Sequence, residues 1–268
     1  RFEGRGNYGQ RDLQKLLSQS GYVFSGFELL QPDYPCWETV ASSAWYELES
    51  GIKGWCFESR LQPNWFANLV KDVLDVAFPN DPECCIQYHL GLFSGAAGRF
   101  DARWGVAIYG QTEARAAELL FPMAYQRDAS YFWFWTSDRA HHVPFGEQLE
   151  HSKSFRKYVS ENPKGLTKLP TTALSFPWGY LCDQYTLNEY YDHGEPRMWF
   201  SKYMGLNTGN SCGVSYGQVL AAGMKEAANL LTSRTPFDIL FLKDGETASK
   251  YKTVVRVNED ATVDQIQN

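Results

Sequence analysis

The clearest amphipathic pattern in the chain lies between two prolines, Pro63 and Pro79. Proline is favoured in the first turn of a helix and cannot continue one, so we predict a helix that begins at Pro63 and ends before Pro79. Six apolar residues recur there at helical spacing: Phe66, Leu69, Val70, Val73, Leu74 and Ala77. Weaker helical patterns with cap or stop residues predict four more helices, over 11–18, 38–49, 113–124 (capped by Thr112) and 215–231.

Alternating and continuous apolar runs predict the strands. Apolar residues alternate with Gln87, His89 and Gly91 over 86–92, which predicts a strand joined across the glycines of 95–98 to a second strand over 104–109. The wholly aromatic run 131–135 predicts a fully buried strand. Three further strands are predicted, the last two as a hairpin or as paired edge strands, over 22–30, 237–242 and 252–257.

The order strand, strand, helix, strand in the first half of the chain is typical of helices packed on one face of a sheet. We therefore predict an α+β fold with a mixed or antiparallel sheet and helices on one face. The segment 162–216 is rich in Pro, Gly and Tyr, which predicts irregular backbone before a C-terminal helix and hairpin. An α+β domain is expected over 1–161, and 162–268 forms either a second unit or part of the same domain.

Composition favours an ordered protein with scattered charge. Of 268 residues, 44% are hydrophobic and 21% are charged, which is enough apolar material for a large core. The net charge is −6 and the basic residues are interspersed with acidic ones, whereas nucleic-acid surfaces need clustered Lys and Arg. No run approaches the roughly 20 apolar residues that a spanning helix requires. We therefore expect neither a nucleic-acid partner nor a membrane span.

Six cysteines are spread along the chain, and no Asn-x-Ser/Thr sequon accompanies them. Six are too few for a disulfide scaffold in a chain of this length. We therefore expect reduced, mostly buried thiols and a reducing compartment. The chain begins at Arg1 rather than Met, which indicates a processed or trimmed N-terminus.

A glycine-rich motif stands at the start of the chain, where Gly4, Gly6 and Gly9 precede a short helix and a strand that reaches Glu28. It resembles the fingerprint of dinucleotide-binding proteins, in which glycines let the backbone approach a pyrophosphate and a later acid holds the ribose. The resemblance implies a cofactor-using oxidoreductase. A flexible Gly-rich terminus is the alternative. Only three residues precede the glycines, too few for the first strand of such a fold, so we expect no cofactor.

Two cysteines resemble the nucleophiles of cysteine proteases. Cys36 and Trp37, at a predicted helix start, are similar to the nucleophile region of papain-like cysteine proteases, where the helix N-terminus and a histidine lower the thiol pKa. Asn-Ser-Cys-Gly-Val around Cys212 resembles the nucleophile loop of chymotrypsin-like viral cysteine proteases. For the first resemblance, His193 is the base that the sequence offers. A buried structural Cys36 and a Gly-rich capping loop at Cys212 are the alternatives.

Metal-binding motifs of the Cys-x-x-Cys or His-Glu-x-x-His kind are absent from the sequence, so we expect no metal site. Rings with polar tips, interleaved with acids, are dense between 178 and 203. Such side chains are typical of recognition surfaces for a protein partner or a polar ligand, and an irregular lid over the core is the alternative. The predicted binding surface consists of Trp178, Tyr180, Tyr185, Tyr190, Tyr191, Asp192, Arg197 and Trp199.

These patterns favour a non-catalytic binding or assembly subunit of a larger protein complex, because aromatic residues are abundant and no complete catalytic constellation stands out. A dinucleotide-binding oxidoreductase or a cysteine-dependent hydrolase is the alternative. Whether the chain is an enzyme stays open, because acid and base groups can be assembled from distant segments.

Overall fold

A computed structural model of the chain describes residues 36–38, 45, 48–49, 51, 53–136, 141–164, 169–180 and 206–268. Within these ranges the chain forms two four-stranded sheets with five helices packed against them, which confirms the predicted α+β class. The strands are β1 (Cys36–Glu38), β2 (Gly54–Ser59), β3 (Arg103–Ile108), β4 (Tyr131–Phe134), β5 (Thr172–Pro177), β6 (Phe237–Leu242), β7 (Thr253–Val257) and β8 (Val263–Gln267). The helices are α1 (Pro63–Leu74), α2 (Pro82–Arg99), α3 (Ala114–Gln126), α4 (Phe145–Glu161) and α5 (Tyr216–Thr232).

The first sheet is parallel throughout and follows chain order, β1-β2-β3-β4. Parallel neighbours need a crossover, and here α1 and α2 connect β2 to β3, while α3 connects β3 to β4. The register places Val106 of β3 between Phe57 of β2 and Phe132 of β4. β4 is half-buried, because Trp133 is 44% exposed, so the prediction of a fully buried strand was wrong.

The second sheet is mixed and has the order β6-β5-β7-β8. β6 and β7 both run parallel to β5, which lies between them, and β8 pairs antiparallel to β7. The prediction that 237–242 and 252–257 pair with each other was therefore wrong. The reason is β5, a buried strand within the segment that we expected to be irregular. The C-terminal hairpin exists, but β7 and β8 form it.

Residues 86–92 form the middle of helix α2 rather than a strand, so that prediction was also wrong. Asp81 caps the helix by accepting a hydrogen bond from the Cys84 backbone N–H at 3.0 Å, and Pro82 is the first helical residue. His89 and Gly91 look like the polar side of an alternating strand, but both are buried because α2 is enclosed on most of its surface.

The glycines that we assigned to a loop over 95–98 also lie in α2. A Cβ at Gly95 would overlap the backbone carbonyl of Ile239, and one at Gly91 would lie 3.0 Å from the carbonyl oxygen of Phe237. Both carbonyls belong to β6, on the edge opposite β5. Helix α2 therefore covers an outer edge of the second sheet, which protects that edge from pairing with another strand.

A buried polar cluster joins the end of helix α3 to the second sheet. Arg127, directly after α3, contacts the Asp238 carboxylate of β6 at 3.1 Å, and the Tyr251 hydroxyl donates to the same carboxylate at 2.7 Å. Burial raises the pKa of Tyr251, so its hydroxyl stays a donor. Around this cluster the buried apolar side chains of both halves form one continuous core. The boundary between 1–161 and 162–268 stays a prediction.

Three predicted helices are confirmed, with small differences at their ends. α1 begins at Pro63, and α5 has a capping box in which Ser215 and Gln218 bond each other's backbone. α3 is capped by Glu113 instead of Thr112. The helix expected over 38–49 starts later, because Glu38 belongs to β1, although Trp45, Leu48 and Glu49 are helical. Within the described ranges, no helix combines the length and apolar character needed to cross a bilayer.

Candidate functional site

A cavity of about 350 Å³ lies where the three parallel strands of the second sheet end. β5, β6 and β7 finish at Pro177, Leu242 and Val257, and all three residues line it. In open sheets with parallel strands, ligands bind beyond these carboxyl ends. We call this cavity the carboxyl-edge pocket. Its polar lining consists of Ser175, Lys243, Asp244, Glu246, Thr247, Arg256, Asn258 and Glu259.

Ser175 and Arg256 occupy one register position on neighbouring strands, β5 and β7. Their side chains therefore stand on the same face of the sheet. Ser175 is only 1% exposed, and its hydroxyl oxygen has no hydrogen-bond partner among the described residues. A buried hydroxyl without a partner is uncommon in folded proteins and indicates a water, an ion or a ligand that completes it.

Two charges of the lining are compensated within the chain. Glu246 accepts from Arg99 at 2.7 Å through one carboxylate oxygen and from the backbone N–H of Lys243 at 3.0 Å through the other. The Lys243 ammonium pairs with Glu49 and lies 4.6 Å from the ring centre of Trp178. These groups hold one another in place and form a wall of the pocket.

Arg256 differs from these residues. Its guanidinium donates to the backbone carbonyl of Glu246 over a long distance, 3.4 Å, and the described part of the chain gives it no ion pair. The side chain is half-buried. A guanidinium carries five N–H donors and keeps its charge at every physiological pH. Arg256 therefore brings a positive charge and spare donors into the pocket.

The wall opposite the strands is a tight turn after β6. The backbone N–H of Glu246 donates to the carbonyl of Lys243 at 3.0 Å, and Gly245 has φ +78. This left-handed backbone favours glycine, which has no Cβ to clash. The turn leads back along the sheet to β7, which runs in the same direction as β6, so it does not close a hairpin between them.

A loop that contains Cys212 forms part of the surroundings of the pocket. The Asn210 side chain accepts from the backbone N–H groups of Cys212 at 3.0 Å and Val214 at 3.1 Å, and it donates to the Tyr180 hydroxyl at 3.0 Å. It also donates to the backbone carbonyl of Glu259, a lining residue. Tyr180 and Cys212, two residues chosen from the sequence for separate reasons, are therefore linked through Asn210 to a lining residue, although neither lines the pocket itself.

The described contacts of Tyr180, Cys212 and Trp178 hold the fold together and do not bring a reactive group to the pocket. Tyr180 is buried, stacks on Tyr216 with ring centres 4.2 Å apart, and has its pKa raised mainly by burial. Cys212 is exposed in a Gly-rich loop that leads into the Ser215 cap of α5, which is the arrangement that our alternative interpretation expected. Trp178 follows β5 and lies beneath the Lys243 ammonium.

Cys36 lies in strand β1, so its expected position at a helix start was wrong. The thiolate that a helix N-terminus would stabilise therefore loses that support. The hydrolase and dinucleotide interpretations stay predictions, because most of their residues lie outside the described ranges. The predicted site residues in that position are Gly4, Gly6, Gly9, Glu28, Tyr185, Tyr190, Tyr191, Asp192, His193, Arg197 and Trp199.

A buried cysteine and histidine pair in α2 was not recognised from the sequence. His89 Nδ1 bonds to the backbone carbonyl of Cys85 at 2.8 Å and lies 3.8 Å from its sulfur. Burial lowers the pKa of His89 to about 4 and raises the pKa of the Cys85 thiol. Both groups are neutral at pH 7, whereas a thiolate nucleophile needs the opposite shifts. This pair serves packing.

Rings also cluster at the carboxyl ends of β3 and β4 in the first sheet. The Arg60 guanidinium donates to the Tyr109 hydroxyl at 2.8 Å, and the Tyr109 ring centre lies 5.2 Å from Trp135 and 5.1 Å from His141. Tyr109 is buried, and Gly110 lies against the backbone carbonyls of 141 and 142. These contacts join the carboxyl end of β3 to the segment that follows β4.

Within the described ranges, no group of three or more His, Cys, Asp or Glu side chains is arranged to hold a metal ion. Comparisons of the chain with protein-family models, with curated proteins and with solved structures find no match. What the chain does therefore has to be inferred from its own residues.

Proposed function

We propose that the chain is a binding protein that holds a small polar molecule in the carboxyl-edge pocket. The observation that supports this most directly is the buried hydroxyl of Ser175, which lines a cavity of about 350 Å³ and lacks a partner among the described residues. Cavities of roughly 300–1,000 Å³ are typical of small-molecule sites. The position at the carboxyl ends of parallel strands is also where such sites occur.

The lining supports a polar ligand rather than a purely apolar one. Five charged side chains surround the cavity, while the apolar contribution comes from strand residues such as Phe176, Leu242 and Val257. Strands give the site a rigid floor, and the 243–247 turn is fixed by its own hydrogen bonds. A preformed site binds with little loss of conformational entropy.

The proposal is tested by thermal unfolding in the presence of neutral polyols, amines, amino acids and organic acids. A compound at 100 times its Kd stabilises the folded protein by about 2.7 kcal/mol. For a protein of this size that raises Tm by about 5–10 °C. At least one polar class is expected to produce such a shift.

A blocked variant shows whether the shift comes from the pocket. Thr247 is exposed and lines the cavity, whereas Ser249 is an exposed residue of the same loop outside the lining. Thr247→Trp should abolish the shift and Ser249→Trp should keep it. A shift of equal size in both variants, or no shift with any compound in the wild type, would refute the proposal.

A second candidate function, a subunit of a larger complex, is favoured by helix α4. Phe145 is 72% and Leu149 is 44% exposed, and they lie one turn apart on the same side of the helix. The inner side of α4 packs through Phe155 against Phe121 and Phe132. Exposed apolar side chains grouped in this way are typical of contact surfaces. A protein is the expected partner, because the scattered charge does not favour a nucleic acid.

The mass of the native species in its source extract tests this second function. Light scattering after size exclusion should give a mass well above that of one chain. A Phe145→Ser and Leu149→Ser double variant should lower the mass, while Glu147→Ser on the same turn should not. A native mass equal to one chain rejects the assembly function and leaves ligand binding standing.

A further inference from the structure

We infer that the ligand of the carboxyl-edge pocket carries a carboxylate group, which the Arg256 guanidinium and the Ser175 hydroxyl bind together. This inference rests on the proposed function and adds the chemical class of the ligand. It follows from the donors that the pocket offers and from the charges that it already uses.

Both residues supply donors from one patch of the sheet. Neighbouring strands lie about 4.8 Å apart, so side chains at one register position can contact the two oxygens of a single carboxylate. Ser175 and Arg256 have this relation in the ladder between β5 and β7. The Arg256 fork matches the planar shape of a carboxylate, and the Ser175 O–H gains the partner that it lacks.

The acidic residue nearest to Arg256 along the sheet is Asp264, at the same register position of β8, and it accepts from Asn258 at 2.9 Å without an ion pair to Arg256 among the described residues. Glu246 is occupied by Arg99 and by a backbone N–H, and Lys243 is occupied by Glu49. Arg256 makes only the 3.4 Å bond to a backbone carbonyl within the described residues. A half-buried cation with an incomplete hydrogen-bond set gains most from an anion that reaches it.

The acidic residues around the opening favour a singly charged group. The lining carries three acidic residues against two basic ones, and two of the acids, Asp244 and Glu259, are exposed. A dianion such as phosphate would be repelled by these carboxylates more strongly than a monoanion. We therefore expect small organic acids with one carboxylate to bind more tightly than inorganic phosphate.

Binding is measured by NMR titration of the full chain with acetate, lactate and benzoate, with phosphate, and with chloride at matched ionic strength. The carboxylates should produce saturable shifts at pocket residues, and phosphate should bind at least several-fold more weakly. Tighter binding of phosphate than of every carboxylate would overturn the inference. So would binding of neutral compounds alone, and that outcome would leave the proposed function intact.

Three variants assign the binding to the two residues. Arg256→Met should abolish carboxylate binding, Arg256→Lys should weaken it because the fork is lost, and Ser175→Ala should weaken it about tenfold. Arg115→Met is the matched control, because Arg115 is an exposed arginine of α3 outside the pocket. Circular dichroism shows that each variant is folded.

The variants also decide cases in which one of them fails to fold. If Arg256→Met does not fold, Ser175→Ala and Arg256→Lys carry the test. Carboxylate affinities that stay within twofold of the wild type in the folded pocket variants would refute the inference. If no compound of any class shifts a pocket residue in the wild type, both the inference and the proposed function fail.

Discussion

Replacement of Gly95 by alanine should destabilise the protein, although the same change usually stabilises a helix. Within a helix, alanine is favoured over glycine by about 1 kcal/mol. At Gly95, however, the added Cβ would overlap the backbone carbonyl of Ile239 in β6. The backbone of β6 is held by its pairing with β5 and cannot rotate away as a side chain can, so α2 and β6 have to separate.

The size of the effect follows from the cost of overpacking, which is about 1–3 kcal/mol in a well-packed core. Gly98 provides the control in the same helix. A Cβ there would meet only the end of the Lys250 side chain, which can move aside. Gly98→Ala should therefore stabilise by about 0.5–1 kcal/mol. Both variants gain this helix term, so they should differ by the overpacking cost of about 1–3 kcal/mol.

Urea unfolding of the wild type and both variants, followed by circular dichroism, measures this difference. A change in midpoint without a change in slope reports stability alone. Gly95→Ala should unfold at lower urea than the wild type and Gly98→Ala at higher urea. Equal midpoints for the two variants would refute the close contact between α2 and the outer edge of β6.

Three further predictions concern buried polar groups. Asp238→Ala should cost about 3–5 kcal/mol in urea unfolding, because it leaves the Arg127 guanidinium buried without its carboxylate. Ser175→Ala should stabilise the ligand-free protein by about 1–2 kcal/mol, because it removes a hydroxyl that lacks a partner among the described residues. Burial lowers the pKa of His89 to about 4 in the folded protein. The free energy of unfolding is therefore highest above pH ~6.5, where His89 is neutral in both the folded and the unfolded chain. It should fall by up to about 3 kcal/mol as the pH falls toward 4, because protonation of the unfolded chain is then favoured.

The controls differ for the three cases. Asp128→Asn removes the charge of an exposed carboxylate that pairs with Lys164 and keeps a side chain that tolerates the left-handed backbone at φ 65, so it should cost less than about 1 kcal/mol. If Asp238→Ala costs no more free energy of unfolding than this control, the buried network does not stabilise the fold as argued. For Ser175→Ala, a lower midpoint than the wild type would show that the hydroxyl already has a partner. His89→Gln should flatten stability between pH 6.5 and 4, and an unchanged slope would assign the pH dependence to other groups.

Sequence patterns predicted the helices that show one apolar side and a clear start signal, either a proline at the first position or a capping serine. Helix α1 lies partly in solvent, so its 3.6-residue period is visible, and Pro63 marks its start. Helix α5 has the Ser215 cap and a similar stripe. The period of α2 is hidden, because a helix enclosed on most of its surface has no exposed side to contrast with.

The strand order of the second sheet was harder to predict, because it depends on β5, a strand without a distinctive local signal. β5 is a short buried run that ends in Pro177, within a segment rich in turn residues. Its place between β6 and β7 is set by the packing of distant segments. Pairing predicted from neighbours in sequence therefore failed. β6 and β7 themselves were predicted, whereas β5 and β8 were not.

The candidate site could not be predicted for the same reason, because it depends on the pairing of distant segments. Ser175 and Arg256 are far apart in the chain and adjacent only through the register of β5 with β7. Neither stands in a recognisable motif. Tyr180 and Cys212 were singled out for other chemistry, and the hydrogen bonds of Asn210 link them to the lining residue Glu259. One signal was available, since Lys243 and Asn258 directly follow the predicted strands, and polar residues at the carboxyl ends of parallel strands indicate a ligand edge.

The most direct test of ligand binding at the carboxyl edge is a crystal structure of the full chain grown with a saturating carboxylate that shifts Tm. Density for the carboxylate is expected within hydrogen-bond distance of the Ser175 hydroxyl and the Arg256 guanidinium. An empty pocket with the compound bound elsewhere, or Arg256 paired with a carboxylate of its own chain, would contradict the assignment.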